Sequence, residues 1–169
     1  TGTNGKTTTV SLLHQLFTML NKKAGMLSTI ENKTLEKSIP STHTTPDPLQ
    51  INYLLHKMIE DGCEYCFMEV SSHALAQGRV NGLHFSGGVF TNLTQDHLDY
   101  HNTFSEYRDI KKSFFDALSK DAFALVNKDD KNSNKMIEGT RAKKFSYALK
   151  SYADYRGKVL ENQFEGMLL

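Results

Sequence analysis

The chain has 169 residues, a length that closes one hydrophobic core of ordinary size, and its 20 basic and 19 acidic residues give a formal net charge of +1. That balance excludes a polyanion such as nucleic acid as the main partner and leaves any anion site to be local. No apolar run approaches the roughly 18 residues of a membrane span, and no charged-then-apolar leader precedes the first motif, so the sequence reads as soluble and cytoplasmic with no membrane partner. The cysteines, Cys63 and Cys66, form a lone C-x-x-C, which rules out a four-cysteine zinc site within the chain and leaves small strand residues near a core or a redox pair.

Taken in order, Val10, Leu13, Leu16, Phe17 and Leu20 recur at helical spacing behind an opening TGTNGKTTT and predict a helix with one buried stripe that starts inside a glycine loop. Gly25 interrupts the pattern. A short strand follows from Met26 to Ile30, then a hairpin-like stretch through Lys37 and a loop from Pro40 to Pro48. Leu54, Leu55, Met58 and Ile59 mark a second helix that stops at Asp61-Gly62, and Tyr65 to Val70 reads as a buried strand. Beyond it come a strand at Gly88 to Leu93, a helix from Thr103 to Leu118, a strand at Ala122 to Val126, a short helix near Asn132 to Ile137 and a strand near Lys144 to Tyr147. A terminal hairpin through Val159 and Phe164 to Leu169 completes the set. Strands alternating with helices imply an α/β fold, its mostly parallel sheet flanked by helices.

The opening loop has the chemistry of a phosphate cradle. Gly2 and Gly5 let the backbone turn so that successive amide groups, those of Thr3 and Asn4 among them, face one spot at the positive end of the following helix. Lys6 supplies a point charge for the outer phosphates, and Thr7, followed by Thr8, offers a hydroxyl to magnesium. The literal G-x-x-x-x-G-K-[ST] pattern would place its first glycine one position before Thr1, and Gly2 lies only three before Gly5, so the loop is a variant. A glycine-rich turn without a ligand is the other reading of the same residues.

TGTNGKTTT, joined to MEVSSHAL (Met68 to Leu75), GRV (Gly78 to Val80) and TNLTQDHLDYH (Thr91 to His101), resembles the Mur ligase family, which builds the peptide of bacterial cell-wall precursors. The opening motif alone is shared with folylpolyglutamate synthase and cyanophycin synthetase. EVSSHAL followed by GRV is more selective and resembles the members that add the third residue of the peptide. The resemblance implies a P-loop NTPase-like central domain that uses ATP and Mg2+. It also implies a reaction in which ATP phosphorylates the D-glutamate side-chain carboxylate of UDP-N-acetylmuramoyl-L-alanyl-D-glutamate and a diamino acid then attacks the acyl phosphate. Because two anions meet, cations have to bridge them.

Glu69 ends the apolar strand, where a carboxylate is costly unless it lies at the strand mouth or binds a cation; a surface carboxylate at a strand end is the plainer alternative. His97, in DHLDYH, matches the family's metal-binding histidine. On the helix from Thr103 to Leu118, Lys111 falls in the middle of the face formed by Phe104, Tyr107, Phe114, Phe115 and Leu118, while Lys112 falls outside it near Arg108 and Asp116. An inward lysine is either one that snorkels out or a desolvated amine able to add carbon dioxide. The resemblance implies the second, a carbamate on Lys111 that ligates magnesium. It also places Thr44, Thr45, Ser71, Gln77 and Arg79 on the muramoyl-dipeptide and Asn127 on adenine, although the N-K-D-D at Asn127 is equally a turn. The same resemblance implies a monomer of three domains, of which residues 1–169 are the middle one, cut before the strand that carries the loop and lacking the flanking uridine-nucleotide and amino-acid domains. The choice between meso-diaminopimelate and L-lysine belongs to the last of these.

Overall fold

The computed structural model describes residues 1–35, 37–94, 100–101, 103–163 and 166–168. They fall into two compact units, one of Thr1 and Gly5–Leu83, the other of Gly2–Asn4 and His84–Leu169.

In the first unit, helix α1 (Lys6–Met19) leads into strand β1 (Ala24–Leu27), followed by β2 (Glu31–Thr34), β3 (Lys37–Pro40), helix α2 (Pro48–Glu60), β4 (Tyr65–Met68) and helix α3 (Ser72–Ala76). The sheet runs β3-β2-β1-β4. β2 and β3 form the expected hairpin, antiparallel to each other and to β1, whereas β1 and β4 are parallel with Leu27 opposite Met68. β1 starts earlier than its periodicity predicts and ends at Leu27, because Ser28 turns and donates from Oγ to Glu31 O at 2.7 Å. Asp47 caps α2, accepting from Leu49 and Gln50 N at 2.9 and 3.0 Å with Pro48 at the first helical position, and Gly62 ends the turn beyond the helix with φ +81°.

Two expectations for this unit need correction. Among the described residues β4 lies at the end of its sheet, and burial rises along the predicted run: Tyr65 is exposed, Phe67 and Met68 are half-buried, and Glu69 and Val70 are buried. The stripe on α1 is buried only in part: Val10 is inside, and Phe17 meets the rings of Tyr65 and Phe67 edge-on at 4.8 and 4.9 Å, but Leu16 and Leu20 are 50% and 59% exposed. The cause is angular position: the exposed Leu12, Leu16, Met19 and Leu20 stand at i, i+4, i+7 and i+8 and share one face, while Phe17, one position beyond Leu16, points to β4.

The second unit holds β5 (Gly87–Phe90), α4 (Phe104–Asp116), β6 (Phe123–Asn127), α5 (Ser133–Met136), β7 (Lys143–Ala148) and β8 (Tyr155–Arg156). Its sheet, β5-β6-β7-β8, is parallel throughout. An antiparallel hairpin of β9 (Glu161–Gln163) and β10 (Gly166–Leu168) follows, as expected. Helix α4, capped by Thr103 through Glu106 N at 3.1 Å, lies so close over β5 that a Cβ on Gly88 would come within 2.6 Å of the Phe114 ring. Phe90 and Phe115 meet edge-on above the sheet. β5 ends at Phe90, three residues short of the predicted strand, because Thr91 to Thr94 bind residues 3 and 4 and Asp130 instead of a strand partner. Helix α3 and strand β8 were not evident in the sequence.

Candidate active site

In each unit the functional side chains gather where parallel strands end, at the carboxyl edge at which open α/β sheets collect ligands. α1 is joined to β1 by a short turn and packs back along it, so its N-terminus points toward the same edge of the first sheet as Thr29 and Glu69. Its N-cap is Gly5, left-handed at φ +79°, with no side-chain cap and no acidic residue in the first turn. The first intrahelical bond is Thr9 N to Gly5 O at 2.9 Å, so helix geometry directs the amides of Lys6, Thr7 and Thr8 out of the helix end. A helix end uncapped by any side chain, with Lys6 and Thr7 at its mouth, fits a phosphate.

The candidate substrate residues come from three separated segments and meet around the end of β4. Thr45 Oγ1 donates to Glu69 O at 2.8 Å and accepts from Ser71 N at 3.1 Å. Arg79 Nη1 donates to Thr45 O at 2.7 Å, while its Nε and Nη2 both reach Gln77 Oε1 at 2.8 and 2.6 Å. Ser71 caps α3 through Ala74 N, which fixes where Gln77 and Arg79 emerge. Glu69 is 1% exposed. Its Oε1 accepts from Thr29 N at 2.8 Å and its Oε2 from Thr29 Oγ1 at 3.2 Å, and Thr29 Oγ1 also reaches Thr44 Oγ1 at 3.2 Å. After Thr29 is served, each carboxylate oxygen retains lone-pair capacity for a cation. Thr29 belongs to no motif; the only signal for it was its place after a strand parallel to the one that ends at Glu69.

In the second unit, residues 2–4 lie against the loop after β5. Thr3 N donates to Asn92 O and Asn4 N to Asn92 Oδ1, both at 2.9 Å, and Thr91 Oγ1 donates to Asn4 O at 2.7 Å. A Cβ on Gly2 would lie 2.0 Å from Thr91 Oγ1, so only glycine permits this approach. Lys111 faces inward as its position in the stripe predicts, 1% exposed, and does not snorkel: Nζ donates to Gly2 O at 3.1 Å and lies 4.6 Å from the centre of the Tyr107 ring. Tyr107 OH pairs with Thr3 Oγ1 at 3.2 Å. Lys112, by contrast, pairs with Asp116 on the outer face at 2.6 Å.

Asn127 ends β6, where its Nδ2 donates to Thr91 O at 2.8 Å and its Oδ1 accepts from Asp129 N at 3.1 Å. These bonds use one hydrogen of Nδ2 and one lone pair of Oδ1, so a contact with adenine would fall to the second of either. His97 lies outside the described residues. His101, which drew no attention in the sequence, is fully buried beside the Tyr107 ring. Among the described residues no group of three or more His, Cys, Asp or Glu side chains forms a ready metal cluster, and no helix is long and apolar enough to cross a membrane.

The chain is similar to known proteins. The chain is 56% identical over 169 residues to the UDP-N-acetylmuramoyl-L-alanyl-D-glutamate–2,6-diaminopimelate ligase of Phocaeicola vulgatus, covering 100% of the chain and 35% of that protein. The ligase of the same name from Cytophaga hutchinsonii is 54% identical, covering 99% and 34%. The chain thus spans about a third of the length of the curated relatives it matches. A solved structure of a ligase with this name superposes with a TM-score of 0.79 at 33% identity, covering 92% of this chain and 32% of that one. The MurF ligase of Thermotoga maritima, solved in complex with ADP, has a TM-score of 0.61 at 15% identity over 89% of this chain and 32% of its own, a likeness of fold. The Mur ligase middle domain profile matches residues 1–169 in full. With its glycine loop, its Glu69 cluster and its inward lysine all lying inside that match, the chain belongs to the Mur ligase family as a middle domain.

Proposed function

We propose that residues 1–169 are the ATP-binding centre of a longer cytoplasmic, monomeric ligase that adds a diamino acid, meso-diaminopimelate, to UDP-N-acetylmuramoyl-L-alanyl-D-glutamate. The observation that carries this reading is the meeting of Thr44, Thr45, Ser71, Gln77 and Arg79 with Glu69 at one strand end. A nucleotide hydrolase needs the phosphate loop but has no use for a second set of hydroxyl, amide and guanidinium groups beside a buried carboxylate. Relatives at 56% and 54% identity bear the name of this ligase, which supports the same choice of diamino acid.

In this reading Gly2, Thr3, Asn4, Gly5, Lys6, Thr7 and Thr8 hold the phosphates of ATP, with Asn127 toward the adenine. Lys6 stabilises charge on the outer phosphates as the γ-phosphoryl group passes to the D-glutamate carboxylate, and the amine of the diamino acid then displaces phosphate from the acyl phosphate. Thr44, Thr45, Ser71, Gln77 and Arg79 orient the dipeptide, and the planar fork of Arg79 suits a carboxylate or phosphate of the substrate. Thr7, Glu69, His97 and Lys111 as a carbamate are the groups assigned to magnesium, which when bound offsets the repulsion between the two reacting anions. A carbamate on Lys111 would have to displace the contacts of Nζ with the Gly2 carbonyl and the Tyr107 ring, among others.

The test is ADP release by the full-length protein. It is expected only when UDP-N-acetylmuramoyl-dipeptide and a diamino acid are both present, and the purified 169-residue chain alone is expected to form no tripeptide. ATP turnover that ignores both substrates would instead mark a nucleotide-driven switch.

A further inference from the structure

Thr29 occupies the turn after β1, an exposed position that no motif marks. The parallel pairing of β1 with β4 puts Leu27 opposite Met68 and lets Glu69 N donate to Leu27 O at 2.9 Å, so the turn after β1 and the side chain of Glu69 are brought together by the sheet itself. One residue then holds both oxygens of one buried carboxylate, its main-chain N–H on Oε1 at 2.8 Å and its hydroxyl near Oε2 at 3.2 Å. The same hydroxyl oxygen touches Thr44 Oγ1 at 3.2 Å. A hydroxyl carries one hydrogen, and an ionised carboxylate can only accept. Thr29 Oγ1 is the donor in both contacts, so its one hydrogen is divided between Glu69 Oε2 and Thr44 Oγ1. The hydroxyl is thus the shared contact point of the carboxylate and the Thr44 hydroxyl.

We propose that Thr29 is a positioning residue for the ligase reaction: it fixes the orientation of the Glu69 carboxylate and ties it to the hydroxyl of Thr44, so that the cation-binding and dipeptide-binding groups are aligned by one side chain. The proposal rests on the ligase reading above. The main-chain half of the clamp survives any substitution at this position, whereas the hydroxyl half, together with the link to Thr44, is lost when the oxygen is removed.

The experiment uses the full-length protein with Thr29→Val, which keeps shape and main-chain N–H but lacks the hydroxyl, and Thr29→Ser, which keeps the hydroxyl. Calorimetric affinity for UDP-N-acetylmuramoyl-L-alanyl-D-glutamate, measured without nucleotide or magnesium, is expected to fall about tenfold in Thr29→Val and to stay within about threefold of wild type in Thr29→Ser. The magnesium concentration that half-saturates ADP release should rise about fivefold in the valine variant, while KM for ATP stays within about twofold. In the Thr29→Val, Thr44→Val double variant the affinity loss should match the larger single loss and not the product of the two.

Unchanged dipeptide affinity in Thr29→Val overturns the proposal, as does a serine variant as weak as the valine one, since shape and not the hydroxyl would then matter. Losses that multiply in the double variant break the link between the two threonines. If Thr29→Val melts well below wild type, Thr29→Ala against Thr29→Ser makes the same comparison. A wild-type protein that neither binds the dipeptide nor shows substrate-dependent ADP release sinks the ligase reading and this proposal with it, whereas normal wild-type turnover with an unaltered valine variant sinks only the role of Thr29.

Discussion

The Nζ of Lys111 donates to the carbonyl oxygen of Gly2 at 3.1 Å, so a residue in the middle of helix α4 holds the start of the glycine loop from 109 positions away. Replacing Lys111 by alanine removes this donor, vacates the face of Tyr107 and opens a cavity. We expect a loss of about 2–4 kcal/mol in unfolding free energy, read by denaturant titration. ADP release in the full-length protein should disappear, and a small carboxylate such as formate should restore part of it. Full activity of the alanine variant would end the carbamate assignment.

The two loop glycines should differ in their tolerance of alanine. A Cβ on Gly2 lies 2.0 Å from Thr91 Oγ1, while one on Gly5 meets nothing within 4 Å and suffers only from its φ of +79°. Gly5→Ala should cost about 1–2 kcal/mol through backbone strain. Gly2→Ala should cost about 3 kcal/mol, with strain and overlap combined. Melting temperatures of the two variants check the order; a Gly2→Ala protein as stable as wild type would mean that the loop does not sit against Thr91.

Arg79 uses three nitrogens at once, two on Gln77 and one on the Thr45 carbonyl. A lysine cannot reproduce that fork. Arg79→Lys is therefore expected to raise KM for the dipeptide substrate about tenfold with a smaller change in kcat, in steady-state ADP release. An effect confined to kcat would place Arg79 elsewhere in the reaction.

Acid should loosen the far end of the second unit before its core. Asp129 accepts from the main-chain N–H groups of Leu149, Lys150 and Ser151, which hold its carboxyl well below the usual carboxylate range, and Asp154 is lowered in the same way by the Ser146 hydroxyl and N–H. Both groups have folded values below their unfolded ones, so their stabilisation is complete above an unfolded value of about 3.9 and is lost as pH falls toward the folded values. Amide exchange at Ser146 and Leu149 to Ser151 should stay protected at pH 5 and rise selectively below about pH 4. Asp129→Asn should remove the pH dependence at residues 149–151 alone.

Much of this was legible in the chain, for identifiable reasons. The inward place of Lys111 follows from helical spacing, because a residue three or four positions from several aromatics shares their face. The turn at Asp61-Gly62 and the parallel strands were equally local in their signals. Thr29 was not legible, since its partner lies 40 residues on and only the pairing of β1 with β4 joins them. Periodicity identified a broad apolar arc on α1 but not which part of it the sheet covers, so Leu16 and Leu20, expected inside, lie on the exposed face with Leu12 and Met19. Helix α3, at five residues, is too short to show a repeat; its signal was the cap, Ser71 accepting from Ala74 N. β8 has two residues and no pattern at all.

The bonds between residues 3–4 and 91–94 bear on how this protein can be taken apart. A phosphate loop is commonly treated as a portable string of letters, to be grafted, tagged or used as a search pattern. Here the first half of the string owes its shape to a segment about ninety positions later, through Asn92 O, Asn92 Oδ1, Thr91 Oγ1 and the Thr94 amide. A transplant of residues 1–8 into another scaffold would carry the glycines and Lys6 and leave behind what bends them, so the smallest transferable unit is a discontinuous pair of peptides.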